Sequence, residues 1–181
     1  MTFNVYFYAE QAYLSHVKKV LTTDPVNYDH EIESGALCAI SSAAAIEAIA
    51  NALICEYIKL EKFDDLRIES KFEEIVKFGS GKIVWGVSPW QDVAELIRVR
   101  NWLVHFKNSN IGLLNSEGRW IKDEYNKIPK ITPSIHLRRE KTARYYQCVR
   151  EASKILVLSC KKQLDEYNFL ENEEYQPTLV G

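Results

Sequence analysis

The sequence predicts an all-α protein, an up-and-down bundle of four to five helices forming one domain over residues 1–170. Three observations lead there. Apolar residues recur every three to four positions through most of the chain. Gly and Pro are scarce, seven and five in 181 residues, fewer than a strand-and-turn protein needs. The most apolar stretch, Ala36 to Ile54, is rich in alanine, and small residues let neighbouring helices approach a central one closely. A compact domain of this length buries roughly 70% of the surface its unfolded chain exposes, so a core forms without staples.

The first helix is predicted from about Thr2 to Val20, with Val5, Tyr8, Ala12, Leu14 and Val17 on its apolar side, ending before Thr22-Thr23-Asp24-Pro25. The second runs from near Glu31 to about Leu60, with Leu37, Ile40, Ala44, Ile46, Ile49, Leu53 and Tyr57 inward. At about 1.5 Å per residue it is roughly 45 Å long. A third, Leu66 to Phe78, is closed by Gly79-Ser80-Gly81, glycine suiting a helix C-terminus. Lys82 to Val87 reads as a short strand or a loop. Ser88 caps the fourth helix and Pro89 sits in its first turn, and this helix extends to about Lys107. A long connection, Asn108 to Ser134, precedes the last helix, Arg138 to Tyr167, whose apolar face carries Tyr145, Cys148, Val149, Ala152, Ile155, Leu156 and Leu158. Residues 171–181 form an acidic tail expected to fray.

Lys plus Arg number 23 and Asp plus Glu 25, a formal charge of −2, so any case for a nucleic-acid partner rests on local clustering. Cys38, Cys55, Cys148 and Cys160 are widely spaced in apolar helical patterns, which reads as buried free thiols in a reducing compartment rather than a zinc site or disulfide framework. The N-terminus lacks the basic and apolar regions of a signal peptide. Ser41, Ser42, Glu47 and Asn51 interrupt the apolar stretch, which favours a bundle core over a membrane span. A soluble cytoplasmic protein without metal or cofactor is the expectation. Gly79-Ser80-Gly81-Lys82 lacks the further residues of a phosphate loop. His16, His30 and His136 have no partners at ligand spacing, and no nucleophile elbow is present.

The chemically pointed segment is Arg100-Asn101-Trp102-Leu103-Val104-His105. On a helical wheel Val93, Leu96, Ile97, Leu103 and Val104 make an apolar stripe with Arg100 in its middle. An unpaired guanidinium there is costly, so the position implies a nearby acid or a cleft open to an anion. Asn101 and His105 share the adjoining flank. Arg100 and His105 are separated by about 140° and about 7.5 Å along a regular helix. They converge on one phosphate only along an exposed groove or with a second copy of the chain as the other wall. Arg supplies a fixed fork for phosphate oxygens and His a proton carrier near neutrality. The plain alternative is an internal salt bridge for Arg100 and a favourable C-terminal charge for His105.

Arg100, Asn101, then three further residues and His105, led in by Glu95-Leu96-Ile97-Arg98-Val99, resemble the motif helix of the HEPN superfamily. The run Ala44 to Ile54 is similar to the long second helix of those proteins. The two segments cover 22 residues, and the order of helices agrees across most of the chain. The resemblance implies a metal-independent endoribonuclease of the kind found among toxins of toxin–antitoxin pairs and anti-phage systems, with two subunits packing their motif helices into one groove. It implies that Arg100 orients and neutralises the scissile phosphate, that His105 assists proton transfer as the RNA 2′-hydroxyl attacks, and that Asn101 holds a substrate oxygen or the imidazole. An antitoxin protein is then a possible partner. The alternatives are a non-catalytic HEPN-like interaction or nucleotide-binding module, and a helical bundle binding a small ligand.

Glu47 stands in a small, apolar stretch. It reads either as the partner of Arg100, which is preferred, or as a carboxylate reaching solvent between helices, with Asn51 one turn on extending the polar patch. Between Arg119 and Arg144 eight basic residues face three acidic ones, with Trp120, Tyr125, Tyr145 and Tyr146 interleaved. Lys107, Arg138, Arg139, Lys141 and Arg144 are thus candidates for phosphate contacts on single-stranded RNA, and the aromatics for stacking. A solvated charged face is the competing explanation.

Overall fold

The computed structural model of the protein describes residues 10–104 and 133–160. No strand occurs among them, so Lys82 to Val87 is a loop. A wide turn at Glu10–Leu14 leads into α1 (Ser15–Thr22). The long α2 (Tyr28–Leu53) widens again at Ile54–Ile58. A single tight turn at Phe63–Asp65 precedes α3 (Ile68–Phe78), then α4 (Trp90–Val104). The short α5 (Pro133–His136) is followed by α6 (Arg139–Cys160). α2 is the centre of the bundle: it packs most extensively on α6 and next on α4, while α3 and α4 also pack on α6. The expected helix over residues 2–9, most of the long connection, the end of the last helix and the acidic tail lie outside the described residues.

Local chemistry explains where the helices begin and end. α2 starts three residues before the expected Glu31, because Asn27 caps it: its Oδ1 accepts from the His30 amide at 2.9 Å, satisfying one free donor of the first turn. Ser88 does not cap α4. The Pro89 carbonyl instead accepts from the Asp92 and Val93 amides, and the helix begins at Trp90. α3 ends through paired bonds from the Gly81 amide to the Val76 carbonyl (2.9 Å) and from the Ser80 amide to the Lys77 carbonyl (2.8 Å). The left-handed residue of this cap is Ser80 (φ 64°), not a glycine. Gly79 serves another purpose: a Cβ there would lie 2.6–2.7 Å from backbone atoms of Ser159 on α6. Gly35 likewise admits the Leu137 carbonyl, which any side chain would strike.

The buried side of α2 is its small-residue side. Cys38, Ala39, Ala43, Ala45, Ile46, Ile49, Ala50 and Leu53 are buried, whereas Leu37 is 55% exposed and Ile40 and Ala44 are only half-buried. Ile46, Ile49 and Leu53 are inward as expected, but Leu37, Ile40 and Ala44 are displaced by Cys38, Ala39, Ala43, Ala45 and Ala50, because close helix–helix approach along small residues leaves no cavity to fill. α2 and its extension to Ile58 are long and apolar enough to cross a membrane by length and composition, and over half of the most apolar window is buried inside the bundle. In the first turn and α1, Leu14 and Val17 are buried but Ala12 is exposed. On α6, Tyr145, Cys148, Val149, Ala152 and Leu156 are buried, while Val157 takes the inward place expected of Leu158. Phe72, Trp85 and Trp90 form an aromatic cluster with ring centroids 5.8–5.9 Å apart. Trp85 Nε1 also donates to Glu73 at 2.7 Å, so the start of α4 is anchored to α3.

Three of the four free cysteines are buried and Cys55 is exposed, correcting the expectation for that residue. Burial pushes the thiols of Cys38 and Cys160 up to about 11 and that of Cys148 up to about 12. At pH 8 a thiol reagent will therefore label the native protein once, at Cys55, with the others reacting only on unfolding. Mass spectrometry showing two or more labels on folded protein contradicts this packing. Gly79→Ala will lower stability by about 1–3 kcal/mol through backbone overpacking. Ser80→Gly will raise it by about 0.5–1 kcal/mol by relieving a left-handed L-residue. Urea denaturation reads both signs.

Candidate functional site

Arg100 lies one turn beyond the buried Leu96 and Ile97 on α4, where the stripe turns from the core toward an edge. Its side chain is 33% exposed and opens on a cleft of about 360 Å³. Glu47 of α2 forms a second wall, Ala43 and Ile97 contribute apolar surface, and the start of α3 brings Arg67, Ile68 and Glu69. Asn101, also lining the cleft, accepts a hydrogen bond on Oδ1 from Arg100 Nη1 at 2.9 Å. The other terminal nitrogen, Nη2, faces Glu47 Oε2 at 3.9 Å. That is a charge pair without hydrogen-bond contact, so among the described residues the guanidinium keeps donors free for an anion.

Glu47 faces a second cation. Lys71 Nζ lies 3.8 Å from Glu47 Oε1 and donates to Asn51 Oδ1 at 2.9 Å. The Lys71 side chain is only 4% exposed and its ammonium sits 5.6 Å from the centre of the Phe63 ring. A buried ammonium persists only when paired, and here an amide oxygen, a carboxylate and an aromatic face do so together. Glu47 accepts no hydrogen bond among the described residues. Glu47 combines the preferred reading with its alternative, pairing with Arg100 and also lining the solvent-open cleft, and Asn51 extends the polar patch, though toward Lys71.

Lys71 and Arg67 were not singled out from the sequence. The signal for Lys71 was available, since it falls between Ile68, Phe72 and Ile75 on the buried stripe of α3 just as Arg100 does on α4. Arg67 carries no comparable signal, because its place at the cleft depends on how α3 meets α2. His105 and Lys107 lie outside the described residues.

The other basic candidates have internal partners. Arg138 Nε pairs with Glu31 at 2.9 Å. Arg139 donates to the Leu21 carbonyl and pairs with Asp24 at 2.6 Å. Lys141 pairs with Glu95 at 2.9 Å, and Arg144 grips the buried Asp92 through two nitrogens at 2.8 and 3.0 Å. Tyr145 is fully buried and donates to Glu95 at 3.0 Å, so it offers no stacking surface. Tyr146 is half-buried and its hydroxyl accepts from Arg150, whose guanidinium also lies 5.7 Å from the ring. These groups lock α6 to α4 and to the start of α2.

Two carboxylates respond to this locking. The Glu31 carboxyl is held below its ordinary range by the Arg139 backbone amide, aided by the Arg138 and Arg139 charges despite some desolvation. For Glu95 burial pulls upward, but hydrogen bonds from Lys141 and Tyr145 together with the Lys141 and His136 charges outweigh it, and the net shift is downward. A second cavity of about 230 Å³ lies where α1, α2 and α6 meet, lined by His16, Lys19, His30 and Cys38 among others. Among the described residues no three His, Cys, Asp or Glu side chains converge as a metal site does. Gly79-Ser80-Gly81 is used as the α3 cap.

No family model, curated protein or solved structure matches this chain.

Arg144→Met will destabilise the protein by about 1–3 kcal/mol, because Asp92 then remains buried without its counter-ion, and a thermal melt measures the loss. Depressed carboxyls favour the folded state above their unfolded pKa and lose that contribution as pH falls through their folded values. The melting temperature should therefore drop as pH falls below about 4.5, the ordinary glutamate value. An acid-side melt unchanged by Glu95→Gln would contradict the role given to Glu95.

Proposed function

We propose that this protein is an HEPN-like, metal-independent endoribonuclease that acts as a cytoplasmic homodimer, as the toxin of a toxin–antitoxin or anti-phage system. The observation that carries this reading is Arg100. It is held by Asn101 on one side and opens on a polar cleft, and among the described residues no carboxylate closes on it at hydrogen-bond distance, as one would on a structural arginine. A planar guanidinium so placed matches two oxygens of a phosphodiester. In this reading Arg100 orients and neutralises the scissile phosphate, Asn101 fixes the guanidinium, and His105 carries a proton. Attack by the 2′-hydroxyl leaves a 2′,3′-cyclic phosphate and a 5′-hydroxyl.

The homodimer draws support from α2. Leu37, Ile40 and Ala44 form a partly exposed apolar stripe, and helical spacing continues it into Glu47 and Asn51 at the cleft. A second copy covering that stripe brings two clefts side by side under two-fold symmetry. The rival reading, a non-catalytic HEPN-like interaction or nucleotide-binding module, is favoured by the internal pairing of Arg138, Arg139, Lys141 and Arg144, which narrows the basic surface left for a long RNA.

Purified protein incubated with structured and unstructured RNA in the presence of a chelator should cut it, leaving cyclic phosphate ends. Arg100→Ala and His105→Ala should each lower the rate by about 10²–10⁴-fold at unchanged fold. Intact RNA at every pH tried, with a protein partner still bound, points to the module. Cleavage that a chelator stops contradicts the metal-free step.

A further inference from the structure

Cleavage by an internal hydroxyl moves two protons, one from the attacking 2′-oxygen and one to the departing 5′-oxygen. The motif segment offers one proton carrier, His105. The cleft offers another. We infer that Glu47 is a catalytic residue, the general base that takes the 2′-hydroxyl proton, an assignment that rests on the ribonuclease reading above.

The geometry supports this in three ways. Glu47 is the carboxylate nearest the phosphate-binding guanidinium, with Oε2 3.9 Å from Arg100 Nη2. A phosphate oxygen bound at Nη2 therefore places the neighbouring ribose within reach of Oε2. The carboxylate is also available: it accepts no hydrogen bond among the described residues, and its side chain is 34% exposed on the cleft. A carboxylate used only to neutralise Arg100 and Lys71 would close on at least one of them, whereas it stands 3.8 Å from the ammonium and 3.9 Å from the guanidinium. Finally, two cations flank it: Lys71, which donates to Asn51, lies 3.8 Å from one carboxylate oxygen and Arg100 on α4 lies 3.9 Å from the other. The other groups of the cleft are Arg67 and Glu69 at the start of α3.

The step balances without an oxidant, metal or co-reactant. The 2′-oxygen gives its proton to Glu47 and forms a bond to phosphorus. The bond from phosphorus to the 5′-oxygen breaks, and that oxygen takes a proton from the general acid, assigned above to His105. The proton on Glu47 returns to solvent. Arg100 neutralises the two non-bridging oxygens as charge grows on them.

The test is the pH dependence of kcat/KM on a short fluorescent oligoribonucleotide, for the full chain and for Glu47→Gln and Glu47→Asp, beside the affinity of each for the same oligonucleotide with a 2′-deoxy residue at the cut site. Expected are a loss of about 10²–10⁴-fold for Glu47→Gln, disappearance of the acidic limb of its profile, partial rescue with a restored limb in Glu47→Asp, and deoxy-oligonucleotide affinity within about threefold of the full chain. If Glu47→Gln does not fold, the double variant Glu47→Gln, Lys71→Gln removes both charges together and is read the same way. A Glu47→Gln enzyme that keeps the acidic limb, or loses affinity alone, overturns the assignment while leaving the ribonuclease reading intact. RNA untouched by the unaltered protein overturns both.

Discussion

The close approach that alanine permits along α2 is the constraint on which the other parts depend. With Ala39, Ala43, Ala45 and Ala50 turned inward, α4 and α6 settle against one central helix. The larger Leu37 and Ile40 are left outside. Because the helices meet at such short range, a long polar side chain on α2 fits only where the packing ends. Glu47 occupies that edge, and the cleft beside Arg100 forms there. The two glycines at Gly35 and Gly79 extend the same economy of volume to the contacts with Leu137 and Ser159.

Charge is then distributed in two distinct ways across α4. On the flank facing α6, Asp92 and Glu95 hold Arg144, Lys141 and Tyr145 at hydrogen-bond distance. Each group is satisfied, and that surface serves cohesion. On the flank facing α2 and α3, one carboxylate serves two cations at distances too long for hydrogen bonds. The first arrangement is closed and the second is open to an added anion. This contrast, more than the number of basic residues, distinguishes the site from the scaffold. Arg100 and Arg144, alike in type and both on helices of the bundle, thus have different surroundings.

The sequence carried the helical class, the approximate span of the described helices other than the short α5, which fell at the end of the expected connection, and Arg100 as a charge out of place on an apolar stripe. Those are local properties: periodicity reports a buried face, and a charge on that face demands a partner. The same argument applied to α3 identifies Lys71 beside Ile68 and Phe72. What local pattern could not convey was which of two apolar faces of α2 is buried. Leu37 and Ala43 satisfy the same spacing rule, and only the closeness of the neighbouring helices chooses the smaller residues.

Composition and spacing by themselves therefore determined a helical bundle with Arg100 and Glu47 as its misplaced charges. Tertiary structure decided the rest. Arg138, Arg139, Lys141 and Arg144 look like a basic surface in sequence because their acidic partners, Asp24, Glu31, Asp92 and Glu95, are dozens of residues away. Opposite charges brought together by helix packing leave no trace in the order of the chain, and the cleft at Arg100 is likewise made by three segments that meet only when folded.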